Sequence, residues 1–146
     1  MQKYFANRKQ SLELKAIGFN EPCCAIFRDD NFKFPVKVHN DPNGLTNSFQ
    51  ELSCDVTAPL KSQVFDFFRE EHRLNVEILT NFGDVTNNTF RGTIKNMDKM
   101  FKDYTNHKYI TGATYEEAES NLIDKLIEII KKQIPHKNEK ISRDFY

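Results

Sequence analysis

The C-terminal segment constrains the fold more than any other. Tyr115, Ala118, Leu122, Leu126, Ile129 and Ile130 recur at helical spacing and form one apolar stripe. Thr114-Tyr115-Glu116-Glu117 has the form of a capping box, in which the Thr114 hydroxyl accepts from the Glu117 amide and the Glu117 carboxylate reaches back. Glu116, Glu117 and Glu119 lie at the positive end of the helix dipole, Lys131 and Lys132 at the negative end. These signals predict a helix over 115–132, stopped by Pro135, with 135–146 a charged flexible tail.

Such a stripe needs a surface to cover, and the preceding residues supply strands. Residues 23–27 (Cys23-Cys24-Ala25-Ile26-Phe27) form a short apolar run suited to a buried strand. After the turn cluster Arg28-Asp29-Asp30-Asn31, Phe32, Phe34, Val36 and Val38 alternate with polar residues, which predicts a hairpin. Pro35 cannot donate to a ladder and places that strand at an edge or a bulge. A third short strand over 49–56 has Leu52, Cys54 and Val56 on one face. A second hairpin pairs 74–79 with 89–94, and 107–110 reads as a last strand.

Two further helices complete the pattern. Residues 3–17 are helix-compatible with a sparse stripe of Phe5, Leu12 and Ala16, and they end at Gly18, a good helix terminator. Ala58-Pro59 opens another, with Leu60, Val64, Phe67 and Phe68 turned inward and Lys61, Ser62, Asp66, Arg69 and Glu70 toward water. The expected fold is therefore α+β: an antiparallel sheet of about 4–6 strands built from hairpins, with three helices packed mainly on one face. Residues 1–134 form one domain, a common size for a single core.

Charge and cysteine usage narrow the partners. With 21 basic and 21 acidic residues, no global field steers the chain to nucleic acid or an anionic membrane. No apolar run approaches the ~20 residues of a membrane span, and residues 1–14 lack the apolar core of a signal peptide. A cytoplasmic location follows as the expectation. The odd set Cys23, Cys24 and Cys54 reads as small buried hydrophobes, with a disulfide from Cys23 or Cys24 to Cys54 as the alternative.

No constellation marks an enzyme. His39, His72, His107 and His136 lack zinc-site spacing. The loop after Asp41 fails the calcium pattern, since Leu45, Thr46 and Leu52 stand where ligands or glycine are required. The 5 glycines form no phosphate loop, so no cofactor is expected. Two surfaces remain as binding candidates. Loop residues His39, Asn40, Asp41, Asn43, Asp84 and Asn87 could meet a protein partner. Arg91, Lys95, Lys99, Lys102 and Lys108, interleaved with Phe90, Phe101, Tyr104 and Tyr109, could hold a single nucleic-acid strand by stacking and phosphate contacts.

Three segments carry a resemblance: 14–23 (Leu14-Lys15-Ala16-Ile17-Gly18-Phe19-Asn20-Glu21-Pro22-Cys23), Ala58-Pro59 with Phe67-Phe68-Arg69-Glu70, and Thr114 to Glu119 with Leu122 and 126–131. In this order they resemble a group of small uncharacterised proteins encoded by bacteriophages and prophages. The resemblance implies a phage-encoded context and no established activity. The expected function is a non-enzymatic protein-binding module, acting on a host factor or defence system. Alternatives are a virion or assembly component, or a single-stranded nucleic-acid binder through 90–109. A homo-oligomer is compatible with all three.

Overall fold

The computed structural model describes residues 2–27, 36–37, 46–47, 56–80, 90–98 and 110–143, with side chains in the last helix described through residue 133. The element order is α1 (Arg8–Ala16), β1 (Ala25–Phe27), β2 (Val36–Lys37), β3 (Val56–Thr57), α2 (Lys61–His72), β4 (Leu74–Thr80), β5 (Phe90–Asn96), β6 (Ile110–Gly112) and α3 (Tyr115–Arg143). The fold is α+β and all its strand pairings are antiparallel. Among the described residues, the single sheet expected from the sequence is instead two three-stranded sheets, ordered β2-β1-β3 and β4-β5-β6. The break falls where the chain leaves β3. Ala58 still donates to the Ala25 carbonyl at 2.8 Å, Pro59 accepts from Ala6 at 2.9 Å, and Leu60 bridges Phe5 before α2 begins. The N-terminal segment thus runs beside the chain as it passes from β3 into α2. β2 is an outer strand, as Pro35 beside it predicts.

Local signals set most element ends. Asn7 caps α1 by accepting from the Gln10 amide at 2.8 Å, and the Gln10 side chain accepts from the Asn7 amide at 3.0 Å. Gly18, at φ +98°, terminates that helix as expected. The buried face of α1 is not the predicted one. Leu12 and Ala16 face water, whereas Gln10, Ser11 and Leu14 are covered. The reason is its neighbour, since α3 offers polar partners. Gln10 Nε2 reaches the Ser120 carbonyl at 3.0 Å, Ser120 Oγ at 3.1 Å and Asp124 Oδ1 at 3.0 Å. A buried amide with partners on two helices is satisfied where an unpaired one would be costly.

α2 also departs from expectation at its start. It begins at Lys61, capped by the Gln63 side chain accepting from the Leu60 amide at 3.0 Å, and Pro59 lies ahead of the helix. It ends at Arg73, whose left-handed backbone (φ 57°) turns the chain into β4 within one residue. Arg73 Nε meets Asp98 Oδ1 at 3.1 Å.

α3 closes the core. The Thr114 hydroxyl accepts from the Glu117 amide at 3.1 Å as predicted, while the Glu117 carboxylate accepts from Ala113 at 3.2 Å, one residue further back than a capping box places it. Pro135 does not stop the helix, which continues to Arg143. Proline removes its own backbone donor and its ring crowds the carbonyl four residues back, so a helix that passes through it does so at a cost of about 3 kcal/mol or more. Leu122, Ile123, Leu126, Ile127, Ile129 and Ile130 of α3 pack with Leu14, Phe19, Val64, Phe67, Phe68, Leu74 and Ile94 into one core, where Phe67 meets Phe19 and Phe68 edge-on at 5.2 Å. Ala25, Phe27, Val56 and Ala58 form a smaller cluster under the first sheet.

Candidate functional site

Most of the sequence candidates lie outside the described residues: His39, Asn40, Asp41, Asn43, Asp84 and Asn87 of the partner set, and Lys99, Phe101, Lys102 and Lys108 of the basic set. Arg91 and Lys95 are described, and both lie on β5. Alternation along the strand puts them with Thr93 on one face, while Phe90, Gly92, Ile94 and Asn96 face the helices. The ladder extends that outer face sideways: Asn75 is opposite Lys95, Glu77 opposite Thr93, and Leu79 opposite Arg91, which in turn faces Thr111 on β6. Phe90 points to the other side and meets the Tyr115 ring at 5.8 Å. The interleaving of bases and aromatics seen in the sequence is thus split between two faces at this strand.

β4 is the outer strand of its sheet. It pairs with β5 along all seven residues, and among the described residues nothing pairs with its other edge. Leu74, Val76 and Ile78 turn inward, and Leu79 on the outer face is 57% exposed. Beneath this margin a cavity of about 140 Å³ is lined by Phe65, Arg69, Asn75, Val76, Ile78 and Tyr115. Its walls come from α2, β4 and the first residue of α3. Tyr115, expected on the buried stripe, is 46% exposed here, because the first turn of α3 overhangs the sheet. A sequence signal for Leu79 existed: it breaks the alternation of 74–79 by placing a leucine on the polar side.

The main electrostatic anomaly lies between α2 and α3. Lys61, expected in water, is 7% exposed, and its ammonium donates to the Glu116 carbonyl at 3.1 Å. Burial pulls the Lys61 pKa down against the opposing pull of Glu119 and Glu116. Burial likewise pushes Glu119 above its ordinary 4.5, against the attraction of Lys61. Lysine bends to this because its alkyl stem accepts cover while the charged head finds a carbonyl. The pair ties two helix starts together. Because folded Glu119 holds its proton above the unfolded pKa, its contribution is complete below 4.5 and is lost as pH rises through the folded value. Wild-type stability relative to Glu119→Gln should therefore rise as pH falls from about 7 to about 4, measured by urea melts.

An open groove of about 840 Å³ between α1 and α3 is lined by Lys9, Glu13, Asp124, Ile127, Glu128, Lys131 and Lys132. Its charges answer one another: Lys131 meets Glu13 at 3.5 Å, and Lys132 and Lys125 meet Glu128 at 2.6 and 3.3 Å. The Lys132 and Lys125 contacts hold the Glu128 carboxyl below its ordinary pKa. A neutralised groove has no field with which to select a charged ligand.

Among the described residues, Cys23 and His72 are taken up in packing. Cys23 and Cys24 are free thiols, so neither is in a disulfide with Cys54, which lies outside the described residues. Burial pushes the Cys23 thiol up to about 11, the opposite of what a nucleophile needs. His72 packs against the Phe67 and Phe68 rings at 5.2 and 5.7 Å at the end of α2. Asn47 joins two distant parts of the chain. It donates to the Phe19 carbonyl at 2.8 Å and accepts from the Thr57 amide and hydroxyl at 3.0 and 3.1 Å. No group of three potential metal ligands occurs among the described residues, and no described helix is long and apolar enough to cross a membrane. Comparison with protein-family models, curated proteins and solved structures finds no match to this chain.

Proposed function

We propose that this chain is a non-enzymatic protein-binding module of phage or prophage origin, working in the host cytoplasm on a host factor or defence system. The observation that carries the reading is the margin of the second sheet. There Leu79 stands exposed on the outer face of a seven-residue outer strand, and a small cavity with both apolar and polar walls lies beneath the same strand. An exposed apolar group beside unpaired backbone is a common basis for protein contact. A nucleic-acid role draws support from Arg91 and Lys95 sharing a face. Phe90, on the opposite face, gives that surface no ring on which a base could stack.

The test compares tagged wild type with Leu79→Lys, each recovered from infected host cells. A protein retained by wild type and lost with Leu79→Lys, at unchanged thermal stability, is the expected result. Identical sets of co-purifying proteins would refute the assignment of the contact to this margin. Leu79 is exposed, so the substitution should change stability by less than about 0.5 kcal/mol.

A further inference from the structure

The β4 margin has a definite chemistry, and it points to one kind of occupant. In an antiparallel strand, successive residues aim their backbone N–H and C=O groups to alternate sides. β4 is paired to β5 throughout, so about half of its residues present these groups at its other edge, which no described residue pairs with. Protein edges of this kind are usually blunted by proline, lysine or a bulge. Leu74–Thr80 contains no proline or lysine, and its register with β5 runs without interruption. Its one charge is Glu77, exposed at the centre of the strand on the outer face.

That position decides between partners. Two copies of this chain pairing antiparallel over the whole of β4 would be centred on Glu77, setting two carboxylates directly opposite. Like charges so placed are destabilising, whereas an opposite charge there is favourable. Glu77 thus works against self-pairing and favours a foreign strand that carries a basic residue at that point. The cavity supplies the second requirement. At about 140 Å³ it lies below the roughly 300–1,000 Å³ range of small-molecule sites and has the size of a single side chain, with Phe65, Val76, Ile78 and Tyr115 as its apolar walls and Arg69 and Asn75 as its polar ones. Arg69 at its wall is already paired with Asp66, so the cavity does not call for an acid.

We infer that the partner, given the protein-binding reading above, adds an extended segment antiparallel to β4. A lysine or arginine of that segment lies opposite Glu77, and an apolar side chain opposite Val76 or Ile78 enters the cavity beside Phe65 and Tyr115. Backbone hydrogen bonds supply the affinity, while the cavity and Glu77 supply the selection.

The test uses the full chain and a blocked peptide, Thr-Thr-Phe-Lys-Phe-Thr-Thr, whose Lys falls opposite Glu77 in this register. Titration followed by amide NMR should shift the β4 amides and the Phe65 and Tyr115 signals. Replacing the peptide Lys by Glu should weaken binding roughly five-fold, and Glu77→Lys should invert that preference. Glu77→Val should raise self-association in analytical ultracentrifugation, with wild type remaining monomeric. A wild-type dimer through β4, shifts confined to other elements, equal affinity for the two peptides, or no binding by either would each overturn the inference. The Leu79→Lys comparison reads protein binding separately, so partner capture without strand addition is distinguishable from loss of both.

Discussion

Gly112→Ala should destabilise the fold by about 3 kcal/mol or more, lowering the melting temperature by roughly 10 °C. A Cβ on Gly112 would fall inside contact distance of the Ala118 amide nitrogen, 2.8 Å from Ala118 Cα and 3.0 Å from the Glu117 carbonyl carbon. All three atoms are helix backbone, so no side chain can swing aside. β6 and the first turn of α3 would have to separate, and the Tyr115–Phe90 contact with them. Thermal denaturation with a folded-state spectrum measures this. A melting temperature within a few degrees of wild type would mean that helix and strand do not meet as described.

The second large effect is a coupled one. A Cβ on Gly92 meets Leu122 first, with Cδ1 at 2.5 Å, Cδ2 at 2.8 Å and Cγ at 2.9 Å. Leu122 is fully buried at the centre of the core. Leu122→Ala should cost about 2–5 kcal/mol through lost burial and the cavity left behind. Gly92→Ala should cost about 1–3 kcal/mol by overpacking. Together they should cost about 1–2 kcal/mol less than the sum, because the truncation removes the group that the new methyl strikes. A double-mutant cycle in urea reads this directly, and strict additivity would refute the contact. The glycine at 92 and the leucine at 122 are thus one packing solution shared by a strand and a helix.

What the sequence showed and what it hid divide along one line. Signals satisfied within a few residues were legible: the Thr114 cap, the Gly18 terminus, the alternation of Leu74, Val76 and Ile78. Signals that depend on a distant partner were not. Lys61 looks solvent-facing until Glu116 and Glu119 are brought beside it. Gln10 looks like the wet side of α1 until α3 supplies Ser120 and Asp124. The two hairpins gave no hint that Phe5 would bridge Leu60, or that the described strands would form two sheets. At the candidate site, the polar loops stood out because turn chemistry is conspicuous. Leu79 was visible only as a misplaced leucine, and Glu77 acquires meaning only once β4 is known to be an outer strand.

The Gln10 contacts with Ser120 and Asp124 join residues 110 and 114 positions apart. Protein synthesis is directional, and domains generally fold as units while the chain emerges at about 5–20 residues per second. Here Leu14, Phe19, Phe67 and Phe68 all await the apolar face of α3, which is made after them. A nascent chain halted before residue 122 would hold two helices and their phenylalanines without a lid. Such contacts between distant positions slow folding, and chaperones or proteases have that interval in which to act. The core of this fold therefore closes only across nearly its whole described length, since residues of α1 are covered by side chains more than a hundred positions further on.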